Sequence, residues 1–193
     1  FEVAMTQLGG HAINLAPEDT QLGRDETLAD TARILAGYCD CILMRTFGQD
    51  RVTELARFSS IPVINGLTDL LHPCQILSDL FTIKGLYGAL DGVKVAYVGD
   101  GNNVANSWIL GASKTGVELA LACPEGHDPD THILAMGLEG TGAKIKVHRQ
   151  PETAVKDAHI IYTDTWTSMG QEKEAQKRRK IFAPYQVNAK LLK

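Results

Sequence analysis

Along the chain, short apolar runs alternate with stretches whose apolar residues recur every three or four positions. The first pattern predicts strands and the second helices, because one face repeats about every two residues along a strand and about every 3.6 around a helix. His11 to Ala16 reads as a strand. Leu28, Ala32, Leu35 and Ala36 form a helical stripe across Glu26 to Tyr38. Cys41 to Met44 is a short buried strand, Asp50 to Phe58 a helix, and Pro62 to Asn65 a strand again. Pro73 to Tyr87 places Ile76, Leu77, Leu80, Phe81 and Ile83 on one side, with proline at the helix start. Val93 to Val98 is a strand and Asn103 to Thr115 a helix, with Gly116 just past its end. Val117 to Cys123, Lys144 to Val147 and Ala158 to Tyr162 are further strands, with helical patterns between.

This alternation predicts βαβ units and an α/β fold: two doubly wound domains with parallel sheets, joined by a long helix. Helices on both faces bury such strands, which therefore read apolar. The glycine-rich segment Gly85 to Gly92 sets the expected boundary, giving domains of residues 1–86 and 87–193 with the Pro73 helix as connector.

Composition narrows the function classes. The 193 residues are 44% hydrophobic, enough for a core without disulfide or metal staples. A net charge of −4 argues against nucleic acid as a partner, since phosphate binding favours a basic surface. No apolar run reaches the roughly 18 residues a membrane helix needs. The four cysteines read as reduced thiols of a cytosol-like compartment, with Cys39 and Cys41 as buried core thiols rather than metal ligands. A cytoplasmic protein is expected. An organellar precursor stays open, because the chain starts at Phe1 without Met. The run Lys177-Arg178-Arg179-Lys180 reads as a solvated helix face. His127 and His132 stand in a proline-containing acidic loop and read as surface residues.

Three segments carry candidate chemistry. Gly99-Asp100-Gly101-Asn102-Asn103 follows a strand and opens a helix, where free N–H groups and the positive helix end can meet an anion. Gly99 and Gly101 fit the start of a dinucleotide fingerprint, with Glu125 as a ribose-binding acid. Val104 stands at the third glycine's place and argues against it. A plain tight turn is a second reading. A third uses the paired amides, which can cap the helix or bind a substrate carboxylate.

His72-Pro73-Cys74-Gln75 begins a helix, so His72 and Gln75 can converge on one ligand. The positive helix end favours a neutral imidazole that donates to a carbonyl oxygen, and Gln75 can accept from an amide. Capping or packing is the alternative role for His72. Arg45 ends an apolar strand, where a charge needs a ligand or a salt bridge. Asp164-Thr165-Trp166-Thr167-Ser168-Met169-Gly170 follows another strand; Asp164 can pair with a substrate ammonium. Ser168 can equally cap a helix, with Gln171 or Glu172 completing a capping box.

Taken together, these three segments resemble the aspartate/ornithine carbamoyltransferase family, on its ornithine branch. Asp30-Thr31-Ala32-Arg33, Pro62-Val63-Ile64-Asn65-Gly66-Leu67 and Tyr185-Gln186-Val187-Asn188 support the likeness, which runs in order over the whole chain. The Ser-Met-Gly loop is what marks the ornithine branch. The resemblance implies two α/β domains, one for carbamoyl phosphate and one for L-ornithine, in trimers or multiples of trimers. It implies carbamoyl transfer giving L-citrulline and phosphate, with no metal and no organic cofactor. By position, Arg45, His72 and Gln75 would hold the carbamoyl group, Arg45 and His72 stabilising its oxyanion. Gln21 would reach a neighbouring subunit's site. Asn103, Asp164, Ser168 and Met169 would bind the amino and carboxylate groups of ornithine.

There are departures. The family's Ser-x-Arg-Thr-Arg phosphate motif would precede Phe1, and its His-Cys-Leu-Pro motif would follow Lys193. Asp25 stands where some relatives carry a lysine. The isolated chain is therefore expected to be inactive or nearly so. A nicotinamide-dependent oxidoreductase and a non-catalytic ornithine-binding subunit are the alternative functions.

Overall fold

A computed structural model describes residues 1–16, 26–139, 142–168 and 170–193. These residues form two compact units, one of residues 1–43 and 50–64, the other of residues 44–49 and 65–193.

The first unit holds helix α1 (Glu2–Gln7), helix α2 (Leu28–Leu35) and most of helix α3 (Gln49–Phe58). Thr27 caps α2 by accepting the Asp30 N–H at 3.1 Å. Asp30 then pairs with Arg33 one turn on, at 2.9 Å. Arg33 and Arg57 both lie over the Phe58 ring. Strands β1 (Ile42–Arg45) and β2 (Val63–Leu67) pair as a two-stranded sheet, and each strand passes from the first unit into the second. Strand β2 is half-buried throughout, and β1 alternates between half-buried and exposed positions. Two expectations fail here. His11 to Ala16 is not a strand: Ile13 and Leu15 stand exposed, and among the described residues no neighbouring strand completes a ladder. Cys39 is half-buried and Cys41 exposed, so neither is a core thiol.

The second unit carries the main sheet. Its strands are β3 (Lys94–Val98), β4 (Glu118–Ala122), β5 (Ile145–His148) and β6 (Ile160–Tyr162), in the order β5-β4-β3-β6 and all parallel. Its helices are α4 (Pro73–Tyr87), α5 (Asn103–Thr115), α6 (Thr131–Leu138), α7 (Pro151–Val155) and α8 (Ala175–Phe182). Pro73 starts α4. Gly116, left-handed at φ 75°, ends α5, and Asp91 takes the space a side chain there would need. On one face of the sheet, Ile76, Leu80, Trp108, Ile109 and Ile133 of α4, α5 and α6 pack onto Val95, Tyr97, Leu119 and Leu121. On the other, Ala154, Phe182 and Tyr185 pack onto Val98 and Ala122. Covered on both sides, β3 is buried from Val95 to Val98, as its apolar sequence predicts. Among the described residues no helix is long and apolar enough to cross a membrane.

Candidate functional site

From β3 the chain winds outward to β4 and β5, then returns through α7 to place β6 on the other side of β3. The winding direction thus reverses between β3 and β6. Just beyond the carboxyl ends of two such strands a parallel sheet leaves a crevice, the usual place for a ligand. Here the crevice lies between the loop after β3, residues 99–102, and the loop after β6, of which residues 163–168, 170 and 171 are described.

The first loop is built from hydrogen bonds. Asn102 caps α5, its Oδ1 accepting from the N–H groups of Val104 and Ala105 at 3.0 and 3.2 Å. The same Oδ1 lies 3.1 Å from the buried Tyr97 hydroxyl, which also reaches the Asp100 carbonyl at 2.9 Å. Burial holds the Tyr97 phenol well above its usual pKa, so it stays a donor. Gly101 is needed for a steric reason: a Cβ there would meet the backbone of Asp128 and Pro129 at 2.2 Å. That close approach accounts for the glycine without a dinucleotide, and Val104, at the fingerprint's third position, is buried.

The amide of Asn102 reaches across to the second loop. Its Nδ2 donates to Asp164 Oδ2 at 2.9 Å, fixing the carboxylate at the mouth of the crevice. Thr163 Oγ1 donates to the Val98 carbonyl at 2.8 Å, tying the loop's start to β3. Farther on, Gln171 Oε1 accepts the Ser168 N–H at 3.3 Å. This is the return half of the expected capping box.

Arg178 corrects the reading of the basic run. Lys177, Arg179 and Lys180 are exposed, but Arg178 is 4% exposed. Its guanidinium donates to Asp100 and, through Nε, to the Trp166 carbonyl, and it lies over the Phe182 ring. Burial pushes the Asp100 carboxyl up, against the pull of Arg178 and of His127, whose Nδ1 lies 3.5 Å away. His127 is therefore not a surface residue; it packs edge-on against Phe182 and lines the crevice. A run of four cations on a helix must place one inward when the helix docks, and the buried Asp100 selects Arg178.

The third wall comes from the end of β1 and the start of α4. Arg45 closes β1, and the following Thr46 N–H donates to Leu67 at 3.1 Å. Residues 68–72 are held by the first two turns of α5. Asn103 Nδ2 donates to the Thr68 carbonyl at 2.7 Å, Asn106 Nδ2 to Leu70 at 3.1 Å, and Ser107 Oγ accepts the His72 N–H at 2.7 Å. His72 makes no side-chain cap on α4, and its Nδ1 is buried without a hydrogen bond. Burial and the neighbouring Arg45 lower its pKa, so the ring is neutral at neutral pH.

These walls enclose a cavity of about 590 Å³. Arg45, His72, Gln75, Asn103, Asp164 and Ser168 all line it, so the structure brings these six expected residues together. Gln21, Asp25 and Met169 lie outside the described residues. Tyr162 and His127 also line the cavity; the sequence reading passed over the first and misplaced the second. The one signal for Tyr162 was its place at the carboxyl end of a strand. Chemically, the site sets a cation, a neutral imidazole and an amide opposite a carboxylate and a hydroxyl. It suits a polar ligand carrying a carbonyl and an amino acid's charged groups.

Comparisons with known proteins agree with this arrangement. The family model described as "Aspartate/ornithine carbamoyltransferase, carbamoyl-P binding domain" matches residues 1–85, and "Aspartate/ornithine carbamoyltransferase, Asp/Orn binding domain" matches residues 91–193. The ornithine carbamoyltransferase of Syntrophus aciditrophicus is 54% identical over all of this chain, which covers 64% of that protein. That of Bacillus subtilis is 52% identical, with 61% of it covered. The solved structure of the Pyrococcus furiosus ornithine carbamoyltransferase superposes with a TM-score of 0.92 at 49% identity, over 99% of this chain and 62% of that one. The chain thus spans less than two thirds of the length of these relatives. On its sequence, its parallel α/β fold and these matches, the chain belongs to the aspartate/ornithine carbamoyltransferase family.

Proposed function

We propose that the cavity is the substrate site of an ornithine carbamoyltransferase, which moves the carbamoyl group of carbamoyl phosphate to the side-chain amine of L-ornithine. The observation that carries this reading is the convergence of Arg45, His72 and Gln75 with Asn103, Asp164 and Ser168 on one cavity at the sheet's reversal point. Arg45 and the neutral His72 donate to the carbamoyl oxygen, and Gln75 accepts from its NH2 group. Asp164 pairs with the α-ammonium of ornithine, while Asn103, Ser168 and Met169 complete the amino-acid side. The side-chain amine, once deprotonated, attacks the carbamoyl carbon. The oxygen then gains negative charge that Arg45 and His72 stabilise. The C–O bond to phosphate breaks, and the amine's second proton leaves with phosphate, giving L-citrulline. No metal or organic cofactor enters these steps. Most of the rate comes from holding two polar reactants in line.

The same proposal includes a carbamoyl-phosphate domain of residues 1–86 and an ornithine domain of residues 87–193, joined by α4. It also includes a homotrimer or multiple of trimers in which Gln21 serves a neighbouring site, and a cytoplasmic location. Turnover by the 193-residue chain alone is expected to be near zero, so binding is the test. Calorimetric titration should show carbamoyl phosphate binding that Arg45→Ala weakens about tenfold or more, the scale of one charged hydrogen bond. Absence of binding, or binding indifferent to Arg45, would overturn the reading.

A further inference from the structure

Gln75 is a side chain whose two ends differ only in donor and acceptor, so its orientation decides what it recognises. Its Nε2 donates to Asp79 Oδ1, one turn along α4, at 3.1 Å. The Tyr162 side chain, at the end of β6, lies beside both Gln75 and Asp79. The bond to Asp79 fixes which end of the amide is the donor. Oε1 is neither buried nor hydrogen-bonded among the described residues, and Gln75 lines the cavity. The frame around it is stiff. The Tyr162 ring stacks on Tyr97 with centroids 5.8 Å apart and meets Trp108 edge-on at 5.4 Å. Burial and the Asp79 carboxylate push the Tyr162 phenol upward, so it stays protonated. Asp79 itself is half-buried, and its Oδ1 is the oxygen that accepts from the glutamine.

The geometry points to Asp79, with Tyr162, as the positioning pair that turns the Gln75 carbonyl into the cavity and so makes the site select an NH2 group over a methyl group of like size. This rests on the carbamoyl reading above and adds to it the residue that sets the selection. Were the amide free to turn over, the cavity would face a donor half the time and an NH2 group would gain nothing there. A site built to pair with a polar group discriminates against an analogue lacking it, because the analogue covers the site's polar atom and leaves it unpaired.

Carbamoyl phosphate and acetyl phosphate differ at that one group, NH2 against CH3. The measurement is the ratio of their dissociation constants on the 193-residue chain. The unmodified chain should prefer carbamoyl phosphate about tenfold or more, roughly one well-made hydrogen bond. Asp79→Leu, which removes the acceptor, should bring the two ligands to within about threefold. Asp79→Asn can still offer a carbonyl to Nε2 and should keep most of the preference. Tyr162→Phe keeps the ring packing, should lower the preference in part, and tests the idea even if Asp79→Leu does not fold. A general loss of structure would abolish binding of both ligands, and so is told apart from a measured ratio. An unchanged ratio in Asp79→Leu and Tyr162→Phe would overturn the inference while leaving the carbamoyl reading intact. An unmodified chain that binds carbamoyl phosphate no better than acetyl phosphate would overturn both.

Discussion

Asp164 is held in place before any ligand arrives. Asn102 grips one of its oxygens, and Asn102 is itself fixed by capping α5. The carboxylate therefore loses little freedom when an ammonium docks, which is how pre-organisation becomes affinity. Asp164→Asn removes the charge but keeps an oxygen for the Asn102 donor. It should weaken ornithine binding about tenfold to a hundredfold, the worth of one hydrogen bond to a charged group, with carbamoyl phosphate binding little changed. Paired titrations with the two ligands check this; equal losses for both would place Asp164 in the scaffold rather than the site. Arg45, His72, Gln75 and Asp164 were legible in the sequence because each sits where a strand or helix ends, and such ends are visible as breaks in periodicity. Arg178, Tyr162 and Asp79 were not. Arg178 matters through a partner 78 residues away, and nothing local marks which member of a basic run that partner selects.

Elements bounded by strong local chemistry were the readable ones. Helices α4 and α5 run from residue 73 to 87 and from 103 to 115, as the pattern predicts. Pro73 starts the first, and the Asn102 cap and Gly116 bound the second. His11 to Ala16 has apolar residues but no partner strand among the described residues, and pairing is a property of two segments. The expected strand failed for that reason. Helix α8 gives the sharpest contrast between neighbours. Arg178→Leu leaves Asp100 buried beside a hydrocarbon and should cost about 3 kcal/mol or more. Arg179→Leu, on the exposed side, should stay within about 0.5 kcal/mol. Urea unfolding of the two variants decides; similar midpoints would mean that the buried pair contributes no net stability.

At the scale of the whole molecule, building the site leaves a pH signature on folding. The His72 pKa is lowered from 6.5 in the folded chain, so the unfolded chain binds its proton more readily. Stability from this group is full above about pH 6.5 and is lost as pH falls below that value toward the folded pKa. Asp100, whose carboxyl is raised from 3.8, acts in the opposite sense: its contribution is full below pH 3.8 and is lost as pH rises toward the folded pKa. Unfolding midpoints measured from pH 7.5 downward should therefore fall below pH 6.5 in the unmodified chain and fall less in His72→Gln. Parallel curves for the two would remove His72 as the source. The sheet also distributes the chain's two tryptophans usefully. Trp108 is fully buried and touches Tyr162, which adjoins Gln75. Trp166 stacks on Phe182 two residues before Ser168. Two parts of the crevice thus have a fluorophore nearby: the Gln75 side and the Ser168 loop. Emission from Trp108→Phe and Trp166→Phe proteins would report, without any attached dye, which of these two parts a ligand has reached and in what order.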